Sequence, residues 1–184
     1  MTEKERKPHH LTIHGTARMT SPWFSPSWQL TDSHGTLLAE MRRYPRLHVS
    51  TVRWEDGTAW ILEPDGWGVV KALDTERNEM GRVTRLSWMG RRWQLTAPQW
   101  SYDLISDPIP RRWHMAVGGA TVAGISGSLV SYNTVTIDTV ISVPATAVIL
   151  AWQVIARPWE AAAAPRGLVP APSKLSTRPA QGAA

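Results

Sequence analysis

The chain has 184 residues, a net charge of +5 and no cysteine. That length suits one ordinary domain, and the lack of cysteine excludes disulfides and thiolate metal sites. The positive charge lies outside the expected fold: residues 28–160 hold 13 Lys or Arg against 13 Asp or Glu, so nucleic acid is not the expected partner.

Taken in chain order, residues 1–27 read as a flexible arm. Charges cluster at its start, and Pro22 and Pro26 break any periodicity. No apolar stretch there resembles a signal peptide, and a cytoplasmic location is expected. His9, His10 and His14 read as solvated arm residues rather than metal ligands, since no carboxylate accompanies them.

From Trp28 onward, short alternating segments are cut by turn signals. Strands are expected at 28–31, 37–41, 47–54, 59–63 and 67–74, with Asp56-Gly57 and Asp65-Gly66 as hairpin turns. A further segment, 82–88, places Thr84, Leu86 and Trp88 on one face. In 91–96, Trp93 and Leu95 share a face, with Arg92 and Gln94 opposite. Trp100, Tyr102 and Leu104 alternate, followed by strands at 113–117, 121–125, 129–137 and 140–143. Ten to twelve strands at this spacing predict a barrel or a sandwich. Trp28-Gln29-Leu30, Trp60-Ile61-Leu62 and Trp93-Gln94-Leu95 form a weak repeat whose Trp and Leu would point inward.

The alternation stops at Pro144. Residues 145–156 are apolar on every side, interrupted only by Thr146 and Gln153. Pro144 suits a helix start and Pro158 a stop, which predicts a helix over about 145–157. A helix without a polar face must be enclosed. No second apolar helix exists to pair with it, so a sheet curled around it is the economical arrangement. The run is too short to span a bilayer. Residues 161–184, rich in Ala and Pro, read as a disordered tail.

The Trp-x-Leu strands, the Asp-Gly hairpins, Gly90-Arg91-Arg92-Trp93 and the strand–Pro144–apolar helix ending resemble the tubby C-terminal-like superfamily over residues 28–160. That superfamily includes tubby domains, phospholipid scramblases and LURP-one-related proteins, and the last branch fits best. The resemblance implies a mainly β fold: a closed antiparallel barrel of about twelve strands enclosing a hydrophobic C-terminal helix. It also implies lipid-associated work more often than catalysis. The basic side chains with which tubby domains hold phosphoinositides have no position-by-position match here. The acylated cysteines of scramblases are missing, as is an Asp-x-Asp-x-Asp-Gly calcium pattern.

No catalytic residue and no cofactor is expected. Gly124-Ile125-Ser126-Gly127-Ser128 is similar to a nucleophile elbow, but Ser128 stands where glycine is needed. Glu55, Asp56, Glu63 and Asp65 read as turn chemistry rather than as acid–base pairs. Acids dominate 54–79 and arginines dominate 80–115, which reads first as strands that attract one another and second as an anion-facing surface. Arg85, Arg92 and Arg112 are the candidate ligand-binding residues. By parity with Trp93 and Trp113, Arg92 and Arg112 point outward, and adjacent strands would join them into a phosphate-binding patch with Arg85 nearby. The expected function is a non-enzymatic module that binds an anionic lipid or phosphate-bearing ligand, peripheral at a membrane. The alternative is a protein-interaction scaffold, which a cluster of surface Trp away from the arginines would favour.

Overall fold

The computed structural model describes residues 11–22, 25–44, 47–128 and 133–163, with side chains described to Ala156. Twelve strands close into one antiparallel barrel. They are β1 (Thr12–Thr20), β2 (Ser27–Thr31), β3 (Leu37–Tyr44), β4 (Val49–Trp54), β5 (Ala59–Pro64), β6 (Val69–Leu73), β7 (Glu79–Arg85), β8 (Arg92–Ala97), β9 (Trp100–Ser106), β10 (Arg112–Val117), β11 (Ala120–Gly127) and β12 (Thr134–Pro144). Each strand pairs with its neighbours in sequence, and β1 pairs with β12 to close the ring. The helix α1 (Ala145–Ala163) follows directly.

Alternation decides which side chains face the helix. Trp28, Leu30, Trp60, Leu62 and Leu95 are buried, and Trp93 is partly buried, so the repeat points inward. The side chains of residues 145–156 are all buried, as a helix without a polar face requires. Bulky rings fill the space between wall and helix. Trp152 of α1 meets Trp28 edge-on, with ring centroids 4.5 Å apart, and Trp54 meets Trp60 at 5.0 Å. The Ser50 hydroxyl donates to Gln153 Oε1 at 2.7 Å, which pairs the polar atom that interrupts the apolar helix.

Four expectations change. First, the barrel starts well before Trp28: residues 12–20 are a wall strand, and of the expected arm 1–10, 23 and 24 lie outside the described residues. A single glycine explains why the segment does not read as a strand. Gly15, at φ +77°, takes up a bulge in which three residues of β12, 140–142, oppose one of β1. Second, the two strands expected at 129–137 and 140–143 are one strand, β12, which runs through that bulge; 129–132 lie outside the described residues. Third, α1 continues to Ala163 instead of stopping at Pro158. A proline keeps helical φ and removes one hydrogen bond, so it need not end a helix near its C-terminus. The expected tail, 161–184, therefore begins inside α1, and 164–184 lie outside the described residues. Fourth, β7 ends at Arg85. Gly81 and Val83 face inward, while Leu86 and Trp88 lie in the next loop and are exposed. Among the described residues no helix is long and apolar enough to cross a membrane.

Candidate functional site

A meander barrel sends its connections alternately to two ends. At the base, where α1 begins, the connections are 32–36, 55–58, 74–78, 98–99 and 118–119. At the mouth, toward which α1 runs, they are 21–26, 45–48, 65–68, 86–91, 107–111 and 128–133. The two ends differ in chemistry.

The base turns carry Asp32, Glu55, Asp56, Asp74 and Glu76, with Arg77 as their cation. Several of these carboxylates are occupied within their own turns. Asp32 Oδ1 accepts from the His34 and Thr36 amides, Asp56 Oδ1 from Thr58, and Asp74 Oδ1 from Glu76 and Asn78. The Thr36 amide hydrogen bond holds the Asp32 carboxyl below its usual range. On the outer wall, Glu63 pairs with Arg77 at 2.7 Å. Asp65 pairs with Lys71 at 2.8 Å and with Arg82 at 3.2 Å, and Arg82 also holds Glu79 at 2.8 Å. Hydrogen bonding from Lys71 lowers the Asp65 pKa, and Arg82 does the same to Glu79. Arg82 of the basic stretch thus meets Asp65 and Glu79 of the acidic one, while Lys71 and Arg77 pair within the acidic stretch itself.

The mouth carries arginines and large apolar tips, with Asp65 and Asp107 as acids on its connections. Leu47, Trp67, Trp88, Met89 and Ile109 are exposed on four successive connections, with Trp67 at 77% and Trp88 at 81%. Around them stand Arg42, Arg85, Arg91, Arg92, Arg111 and Arg112. Arg43 is 4% exposed inside the wall at this end, in register with Ser50. The negative pole of the α1 dipole lies on the same side.

The three candidate arginines do not form one patch. Arg92 and Arg112 point outward as expected and are exposed, but β9 separates their strands. Arg92 lies opposite Ile105, which lies opposite His114, so Arg92 and His114 are about 10 Å apart at two strand spacings. Arg92 binds Asp103 at 2.9 Å, an exposed pair of small energetic weight. His114 Nδ1 lies 2.6 Å from Asp107 Oδ1. Arg85 differs in kind. It falls on the inward parity of β7, directly opposite Trp93. Its guanidinium lies 4.8 Å from the Trp67 ring centroid and 5.8 Å from that of Trp93. It donates to the Ser87 carbonyl at 2.8 Å and to the Trp88 carbonyl. The Ser87 hydroxyl accepts from the Arg91 and Arg92 amides, both at 2.9 Å, and the Trp93 indole donates to Gly90 at 2.8 Å. Gly68 must be glycine for this: at φ +72° a methyl group there would stand 2.8 Å from Arg85 Cβ. Beside this stack is a cleft of about 280 Å3 lined by His48, Trp67, Gly68, Val70, Arg85 and Trp93.

The other candidates are placed as follows. Gly124 to Gly127 lie within β11, and Ser126 is opposite Arg112 and Thr136, so no strand–turn–helix occurs there. His14 is in β1, and His9 and His10 lie outside the described residues. Among the described residues no three His, Asp or Glu side chains converge as a metal site would need. Sequence reasoning missed the apolar tips and carried the strand on through Trp88, past its end at Arg85. The available signal was position: Trp67 follows Asp65-Gly66 and Trp88-Met89 precedes Gly90, so large apolar residues sit at turns.

No family model matches the sequence, and no curated protein matches it either. The fold is similar to that of a protein from Arabidopsis thaliana known from an X-ray structure. The likeness has a TM-score of 0.52 at 14% identity and covers 81% of this chain and 94% of that one. At that identity it shows a shared fold alone.

Proposed function

We propose that the protein is a non-enzymatic barrel module that binds an anionic lipid or other phosphate-bearing ligand at a membrane surface, using the arginines of its mouth. One observation carries the reading: exposed Trp67 and Trp88 stand on the same rim as Arg85, Arg91, Arg92 and Arg112. A protein-interaction scaffold would be favoured by aromatic residues apart from the arginines, and these are interleaved with them. Arginine offers phosphate a planar, bidentate donor. Aromatic rings at an apolar–polar boundary suit the headgroup layer. The Asp103 carboxylate that holds Arg92 is half-buried, but Arg92 itself is exposed and the pair is of small energetic weight, so a phosphate can replace it. A barrel filled by its own helix supports binding at the rim rather than within. The twelve-stranded wall around a C-terminal helix also supports placing the chain among tubby C-terminal-like proteins, with the LURP-one-related branch as the reading we favour.

Co-sedimentation with phosphatidylcholine vesicles, with and without phosphatidylserine, tests this at low and high salt. The full chain binds the anionic vesicles selectively, and binding falls as salt rises. Each cation near such a surface is worth about 1 kcal/mol, so Arg92→Ala/Arg112→Ala weakens binding about thirtyfold. Neutralising Lys4, Arg6, Lys7, Arg166, Lys174 and Arg178 to Gln leaves most of it. Binding that vanishes with those terminal cations alone reduces the interaction to non-specific attraction and overturns the proposal.

A further inference from the structure

The apolar tips of the mouth need an occupant that the arginines alone do not specify. Leu47, Trp67, Trp88 with Met89, and Ile109 sit on connections that follow one another around the ring. Monomeric proteins seldom expose large apolar side chains in a continuous arc. The base differs: its turns are acidic, with carboxylates that cap their own amides, and its exposed apolar residues, Leu37, Val117, Val140 and Ile141, are aliphatic and lie on strands. The barrel is therefore polarised along its axis, arginine-rich and aromatic at one end, where Asp65 is neutralised by Lys71 and Arg82, and acidic in its turns at the other. An anionic bilayer complements the first end and repels the second.

We infer that the barrel docks mouth-first, with Trp67, Trp88 and Met89 entering the interfacial layer of an anionic bilayer and Arg85 acting as the residue that positions them. This rests on the membrane reading above and names its orientation and its wedge. Arg85 is spent on its own protein: it stacks on Trp67 and Trp93 and donates to the Ser87 and Trp88 carbonyls. The Ser87 hydroxyl closes the same loop from inside. The clasp fixes the 86–91 connection in one conformation before contact, so docking orders few residues on arrival. The flanking Arg91, Arg92 and Arg112 are exposed and supply the attraction to headgroups. Arg85 is thus a positioning residue rather than a phosphate ligand.

The absence of cysteine permits a direct test. Single-cysteine full chains, Met89→Cys at the mouth and Ser33→Cys at the base, are labelled with an environment-sensitive fluorophore and mixed with phosphatidylserine-containing vesicles. The Met89→Cys label shifts to the blue, and the Ser33→Cys label stays as in water. Trp88→Ala weakens binding about tenfold or more, the scale of one large apolar side chain returned to water, and this loss persists at high salt. Arg85→Lys keeps the charge but not the clasp. It removes most of the blue shift at position 89 while salt-sensitive binding through the outer arginines remains; a phosphate-ligand role for Arg85 would instead leave the shift in place. Vesicle binding with both labels in water, or with the base label shifted, overturns the orientation and leaves the membrane reading standing. Failure to bind any vesicle removes both and turns the rim over to a protein partner.

Discussion

Ser50 and Gln153 show how a single polar pair makes an apolar helix fit one place. Both are 1% exposed, one in the wall and one in α1, and the hydroxyl donates to the amide oxygen at 2.7 Å. Ser50→Ala leaves Gln153 Oε1 buried without that donor, which costs about 1–3 kcal/mol. Urea denaturation of the variant reads the loss. Ser50→Ala/Gln153→Met, which removes both partners, recovers part of it. Neither residue advertises its partner in the sequence, where they lie 103 positions apart. Arg85 teaches the same lesson in reverse. Its type suggested a ligand, but the strand ends beneath it and Trp67, Trp93 and two carbonyls engage it. Charge was legible in the sequence; what the charge is used for was not.

At the scale of elements, α1 and β7 meet where the wall has no side chain. A methyl group at Gly81 would come within 3.0 Å of Leu150 Cδ1 and 3.1 Å of the Thr96 carbonyl. Gly81→Val therefore overpacks the contact, and about 1–3 kcal/mol of stability is lost. A lowered thermal midpoint, with Gly81→Val costing less in a Leu150→Ala background than in the native chain, checks that this contact is the cause. The helix itself was legible because a run apolar on every side has only enclosed solutions. Its C-terminal extent was not, because Pro158 permits both a stop and a continued backbone. Strand alternation was read well where neighbours were Trp and Leu. It misled at 86–88, where Leu86 and Trp88 prolong the alternation beyond the last paired residue.

At the scale of the molecule, closure depends on β1. Thr12 lies opposite Pro144 and Thr20 opposite Thr134, and the Leu11 carbonyl accepts from the Ala145 amide at 2.8 Å. That bond satisfies one of the orphan donors at the start of α1. A chain beginning at Trp28 lacks this strand and exposes the edges of β2 and β12 with the helix between them. Such a chain aggregates or melts without cooperativity in circular dichroism, whereas one beginning at Leu11 melts as the full chain does. If both melt alike, β1 is dispensable.

Two kinds of information separate cleanly here. Strand alternation, hairpin turns and an enclosed helix were determined by the sequence alone, because each depends on neighbours a few positions apart. The closing pair, the polarity between base and mouth, and the inward parity of Arg85 were decided only by the tertiary structure. They depend on register between segments as distant as Thr12 and Pro144. One bulge at Gly15 sets that register, and no local pattern encodes it.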